Sequence, residues 1–182
     1  KYKKEYIRLL SAGFLHADWG HLFFNMFTLY FFGPIVLEAF NIVGFILIYL
    51  GSIILGNLFS LYLYQKQGWY SAIGASGGVS GILFAAIAVY PMIGIGILSI
   101  PIPIKGYIFG ALHFSHSVYM MLNPKPHDNI GHAAHLGGAA FGLVYAVVVE
   151  PEVAFSNIYF LGVMSLPLLY MAYQVFVKKR IG

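Results

Sequence analysis

Gly74-Ala75-Ser76-Gly77-Gly78-Val79-Ser80-Gly81 is the stretch on which the reading of this chain turns. A serine stands among small residues, after a loop at 65–71 and before an apolar run that ends at Val89. In a soluble protein this would be a Gly-rich turn opening a helix. Here the neighbouring segments are apolar and long enough to cross a bilayer, so a hydroxyl between glycines at membrane depth asks for a chemical reason.

The composition around that stretch sets the class. Of 182 residues, 60% are hydrophobic and 9% charged, where a soluble domain carries about a quarter charged residues. The chain reads as an integral membrane protein. With no cysteine, disulfide and thiolate chemistry are excluded. The net charge of +4 comes from ten Lys and Arg against six Asp and Glu. The cations lie near segment ends, which suits membrane flanks rather than a nucleic-acid surface. No cleavable signal peptide is visible, and a start without Met reads as the edge of a trimmed chain.

Working outward, six hydrophobic helices are expected, at 21–37, 42–64, 74–90, 106–122, 132–149 and 153–177, in an all-α polytopic bundle. Residues 1–20, with Arg8, His16, Asp18 and Trp19, read as an interfacial segment. Pro34 is expected to kink the first helix, with a polar turn at 38–41. Polar loops fall at 65–70 and 123–129, and 92–105, holding Pro101 and Pro103, reads as a connector. The serine-bearing helix is short for a span, so it is expected to begin below the membrane surface, where irregular backbone survives only within protein or beside a water-filled cavity. No internal repeat is evident.

Three sets of polar groups lie within or at the mouths of these helices: His21 with Asn25, Ser76, and His132 with His135. Taken singly, each is more often a helix–helix hydrogen-bonding group. Taken together they fit a division of labour. Serine is a weak nucleophile unless a base accepts its proton, and neutral histidine is the usual base. Gly77 and Gly81 on one helix, and Gly138 and Gly142 on the other, would let the two pack closely enough for Ser76 to meet His135. His21 and Asn25, four apart on one face, and the backbone N–H of Ser76 are candidate donors to a developing oxyanion. The acids Glu5, Asp18, Glu38, Asp128, Glu150 and Glu152 read as loop or flank residues, so the expectation is a Ser–His dyad without an acidic third member.

These residues resemble the rhomboid intramembrane serine proteases. His21-Leu22-Phe23-Phe24-Asn25 matches that family's HxxxN, Gly74-Ala75-Ser76-Gly77 its GxSG, and Ala134-His135-Leu136-Gly137-Gly138 with Gly142 its AHxxGxxxG. The resemblance covers about residues 6–150, in the family's order and spacing. It implies cleavage of membrane-anchored proteins at or within the bilayer, with no cofactor. Ser76 would be the nucleophile and His135 the general base, with His21, Asn25 and the Ser76 backbone N–H as the oxyanion hole. The run from Phe14 to Trp19 also looks like the family's, with His16 a structural or water-organising residue and Gly74 a supporting one. Residues 1–150 are thus expected to form the catalytic membrane domain and 151–182 an additional hydrophobic helix with a basic tail. On this resemblance the family's first span is expected to be missing from this sequence. Some members carry, four residues after the nucleophile, a tyrosine that stacks on the catalytic histidine; here that position is Ser80. A multi-pass protein of a bacterial inner membrane is implied.

Other readings carry their own signatures. His132 with His135, and His113 with His116, have a spacing suited to a metal on a helix, yet no glutamate lies near them as in HExxH. A catalytically inactive rhomboid-like protein that binds transmembrane clients is the alternative within the resemblance, although such relatives typically lack the Ser or His present here. A transporter predicts paired broken helices and internal symmetry, which are not seen. Counting charge, Lys1, Lys3, Lys4, Arg8, Lys66, Lys125, Lys178, Lys179 and Arg180 fall on the active-site side and only Lys105 on the other. That places the mouth of the site in the cytoplasm, whereas the resemblance implies the outside.

Overall fold

The computed structural model describes residues 5–67, 71–97, 100–125 and 128–180. It is a helical membrane bundle. A short helix α1 (Arg8–Ser11) and a 3-10 turn (Ala12–Phe14) precede α2 (Trp19–Tyr64), then α3 (Ser76–Val89), the strands β1 (Gly94–Ile97) and β2 (Ile100–Lys105), α4 (Gly106–Leu122), α5 (His132–Val149), α6 (Pro151–Ser156) and α7 (Ile158–Ala172). Helices α2 and α5, and α7 together with the π-helical turn Tyr173–Val177 that continues it, are long and apolar enough to cross a membrane, and α3 is a shorter apolar helix.

At 1.5 Å per residue the 46 residues of α2 would run about 69 Å if straight, more than twice a hydrocarbon core of about 30 Å. The helix instead breaks at one residue, Asn41, with φ 55° and ψ −175°. Asparagine tolerates positive φ better than most side chains, and the Asn41 Oδ1 accepts from Val43 N at 2.8 Å and Gly44 N at 3.3 Å, capping the second arm. Phe45 thereby comes back against Gly33. The expected turn at 38–41 shrinks to this residue, Glu38 is helical, and Pro34 sits inside the helix with no break in its backbone torsions.

The core is α3, enclosed by the second arm of α2 and by α5. Helix α3 is buried along nearly all its length, from Gly77 to Ala88. Glycine inside a helix costs about 1 kcal/mol relative to alanine, and here it permits close approach. A Cβ on Gly138 would overlap the carbonyl oxygen of Gly77, one on Gly142 that of Gly81, and one on Gly56 of α2 that of Ala134. Ser52, Gly56 and Ser60, four apart, present the small-residue face of α2 to the same seam, and both serines are buried.

Two segments differ from a plain loop or helix. The 92–105 connector holds two strands: β1 and β2 pair antiparallel, Gly94 opposite Lys105 and Ile95 opposite Ile104. Each strand of a two-stranded ribbon has a free edge, where proline is tolerated. The last hydrophobic segment is not one helix either, for it is interrupted at Asn157. That side chain donates to Ala88 O at 3.2 Å and Val89 O at 3.1 Å, satisfying carbonyls left over at the C-terminus of α3. Helix α7 then packs on α4, and Arg180 donates to Asn123 Oδ1 at 3.1 Å, so the basic tail ends beside the 123–131 loop.

Candidate active site

Ser76 is the first residue of α3, and its position is set by the backbone before it. Gly74 has φ +116°, which a side chain would strain, and its N–H donates to Ala12 O at 2.9 Å. A Cβ there would also strike the imidazole of His21. Gly74 therefore lets the loop turn sharply into α3 while His21 lies against it. His135 stands in the first turn of α5, and the glycine seam holds α5 against α3. The outcome is a contact across 59 residues of sequence: His135 Nε2 and Ser76 Oγ are 2.7 Å apart. Both residues are partly buried.

For the hydroxyl to donate, Nε2 must be bare, so His135 carries its hydrogen on Nδ1. That pair can pass a proton from oxygen to nitrogen as the oxygen attacks an electrophile. Donors suited to the resulting negative charge lie close by. The first N–H groups of α3 have no intrahelical acceptor, and they carry the positive end of the helix dipole.

Asp18 caps α2, accepting from His21 N at 2.7 Å, and so places His21 in the first turn. A long 3.5 Å bond from Ala17 N to His21 Nδ1 favours the tautomer with hydrogen on Nε2, the nitrogen lying against Gly74. One turn on, Asn25 is 6% exposed. Its Nδ2 donates to His21 O at 3.0 Å, leaving its second N–H uncommitted, since an amide nitrogen has two. His16 meets His21 edge to face at 5.1 Å. Burial, and then the charge of His21, hold His16 below the usual imidazole range, and its buried Nε2 has no hydrogen-bond partner among the described residues.

Some neighbours of the dyad were not legible in advance. His113 of α4 lies nearly parallel to His135, ring centroids 6.5 Å apart at 23°, itself packed against Phe84 and Phe109. With Ser80 behind the nucleophile, a ring from α4 covers the imidazole. His132 approaches His135 at 6.4 Å and pairs with Asp128, Nε2 to Oδ2, at 3.1 Å. Asp128, a loop residue as its place in the sequence suggested, thus stands one side chain removed from His135. The only prior signal was its position four residues before His132. Among the described residues no three His, Asp or Glu side chains converge as a metal site would require.

The comparisons with known proteins agree with this architecture. The family model for the Rhomboid domain matches residues 3–152. The chain is similar to Rhomboid protein 1, mitochondrial, of Saccharomyces cerevisiae, 30% identical over 152 residues, which is 81% of this chain and 43% of the yeast protein. It is 28% identical over 151 residues to RHOMBOID-like protein 12, mitochondrial, of Arabidopsis thaliana, covering 75% of this chain and 44% of the plant protein. The human Presenilin-associated rhomboid-like protein, mitochondrial, is 29% identical over 152 residues, 82% of this chain and 39% of that protein. The chain spans about two fifths of the length of these relatives. Their mitochondrial names lend no support to the bacterial inner membrane expected from the sequence. A family match over most of the chain, on a helical membrane fold, settles the kinship: this protein belongs to the Rhomboid family.

Proposed function

We propose that this protein is an intramembrane serine endopeptidase that cuts membrane-anchored proteins at or within the bilayer. The observation that carries the reading is the 2.7 Å bond between Ser76 Oγ and His135 Nε2, in a chain whose family acts on membrane protein substrates. A substrate helix would unwind near its end and offer a carbonyl to Ser76. His135 takes the hydroxyl proton as the oxygen attacks, then returns it to the leaving amine. The Ser76 N–H, His21 and Asn25 hold the oxyanion, and water releases the acyl group. Residues 1–150 would form the catalytic domain and 151–182 an added helix and tail, with Gly74, Gly77, Gly138 and Gly142 supporting the site and the 92–122 segment serving as a side gate. The test is labelling of detergent-purified protein by a fluorophosphonate. Label on the wild type, lost in Ser76→Ala and in His135→Ala, is the expected result. A folded wild type that takes no label would point instead to an inactive protein that binds transmembrane clients.

A further inference from the structure

We propose that Asp128 and His132 are positioning residues for the dyad, acting on His135 through one bridging water. The inference rests on the proposed roles of Ser76 and His135. With Nε2 of His135 turned to Ser76, its Nδ1–H needs an acceptor, and no described residue provides one.

The neighbouring pair has the complementary vacancy. A carboxylate only accepts, so the bond from His132 Nε2 to Asp128 Oδ2 places the hydrogen of His132 on Nε2 and leaves its Nδ1 as an acceptor. That Nδ1 is buried and has no partner, on a residue 7% exposed. Asp128 is itself fixed, its Oδ1 accepting from Ile130 N at 3.1 Å. His132 and His135 are three apart on α5, so they share a face.

Distance decides how they communicate. Two imidazoles joined by a direct N–H···N bond have ring centres about 5 Å apart, and these are 6.4 Å apart. The extra separation suits a water that accepts from His135 Nδ1 and donates to His132 Nδ1. The line Ser76, His135, water, His132, Asp128 would hold His135 in the tautomer that leaves Nε2 free, with the Asp128 charge at its far end, beyond His132. His113 and His116 of α4 face the same cluster and bring no carboxylate.

The experiment measures fluorophosphonate inactivation of the detergent-purified chain, with kinact and KI determined separately, for the wild type, Asp128→Asn, His132→Gln and the double variant. The expected result is kinact about tenfold lower in each single variant, KI unchanged, and the double variant no slower than the slower single one, because both act through one line. Unchanged kinact in the singles, or losses that multiply in the double, would overturn the inference while leaving the dyad in place. An unreactive wild type would instead remove the proposed function. Nitrogen-15 histidine spectra of the wild type supply a measurement that does not depend on variants folding. Hydrogen on His132 Nε2 and on His135 Nδ1 supports the line, and hydrogen on His132 Nδ1 refutes it.

Discussion

Replacing Gly138 by alanine tests whether close helix packing sets the active geometry. The added Cβ would overlap the carbonyl oxygen of Gly77 and lie 2.7 Å from its carbon and 3.0 Å from its Cα. Ordinary contact needs about 3.5 Å between carbons, and backbone on a buried helix does not swing aside, so α5 must retreat by about 1 Å. Gly77 adjoins Ser76, and His135 lies one turn before Gly138, so most of that retreat opens the 2.7 Å bond past the roughly 3.5 Å at which a hydrogen bond is lost. Misplacement by about 1 Å costs about 100-fold in rate, or about 2.7 kcal/mol of barrier. Overpacking should cost a further 1–3 kcal/mol or so of stability. Fluorophosphonate labelling rate and thermal unfolding in detergent would be followed together. Gly162→Ala is the control, because a Cβ there meets nothing within 4 Å. A Gly138→Ala protein that labels at the wild-type rate would refute the argument that the seam fixes the dyad.

The other predictions concern the chemistry directly. His21→Ala and Asn25→Ala should each lower kinact by about 10²–10³, the usual loss for one oxyanion donor, with little change in unfolding temperature; wild-type kinact in both would remove them from the oxyanion hole. His135 must be neutral to accept the serine proton, so activity should hold at higher pH and fall about tenfold per unit once the pH drops below its pKa. A labelling rate flat across the acid range would count against His135 as the base.

Much of this molecule is written locally. The limits of α4 and α5 follow from apolar runs bounded by polar turns, at 106–122 and 132–149, and hydrophobic length is a local property. Ser76, His135, His21 and Asn25 stand out because polar groups are costly among apolar residues. The break in α2 falls at Asn41 rather than at Pro34, because Asn41 accepts positive φ and caps the next arm. The paired strands after α3 went unseen because prolines mask a strand pattern, and the interruption at Asn157 because its partners, Ala88 and Val89, lie far away in sequence.

The sequence by itself therefore determined the class, the limits of several apolar helices and the candidate residues for the chemistry, since each depends on hydrophobicity and side-chain type over a few turns. Tertiary structure alone decided their relations: the 2.7 Å between Ser76 and His135, the ring of His113 beside the imidazole, and the Asp128–His132 pair behind it. Those depend on how closely α3, α4 and α5 approach, and that approach is set by glycines and backbone carbonyls on different helices meeting, which no single stretch of sequence contains.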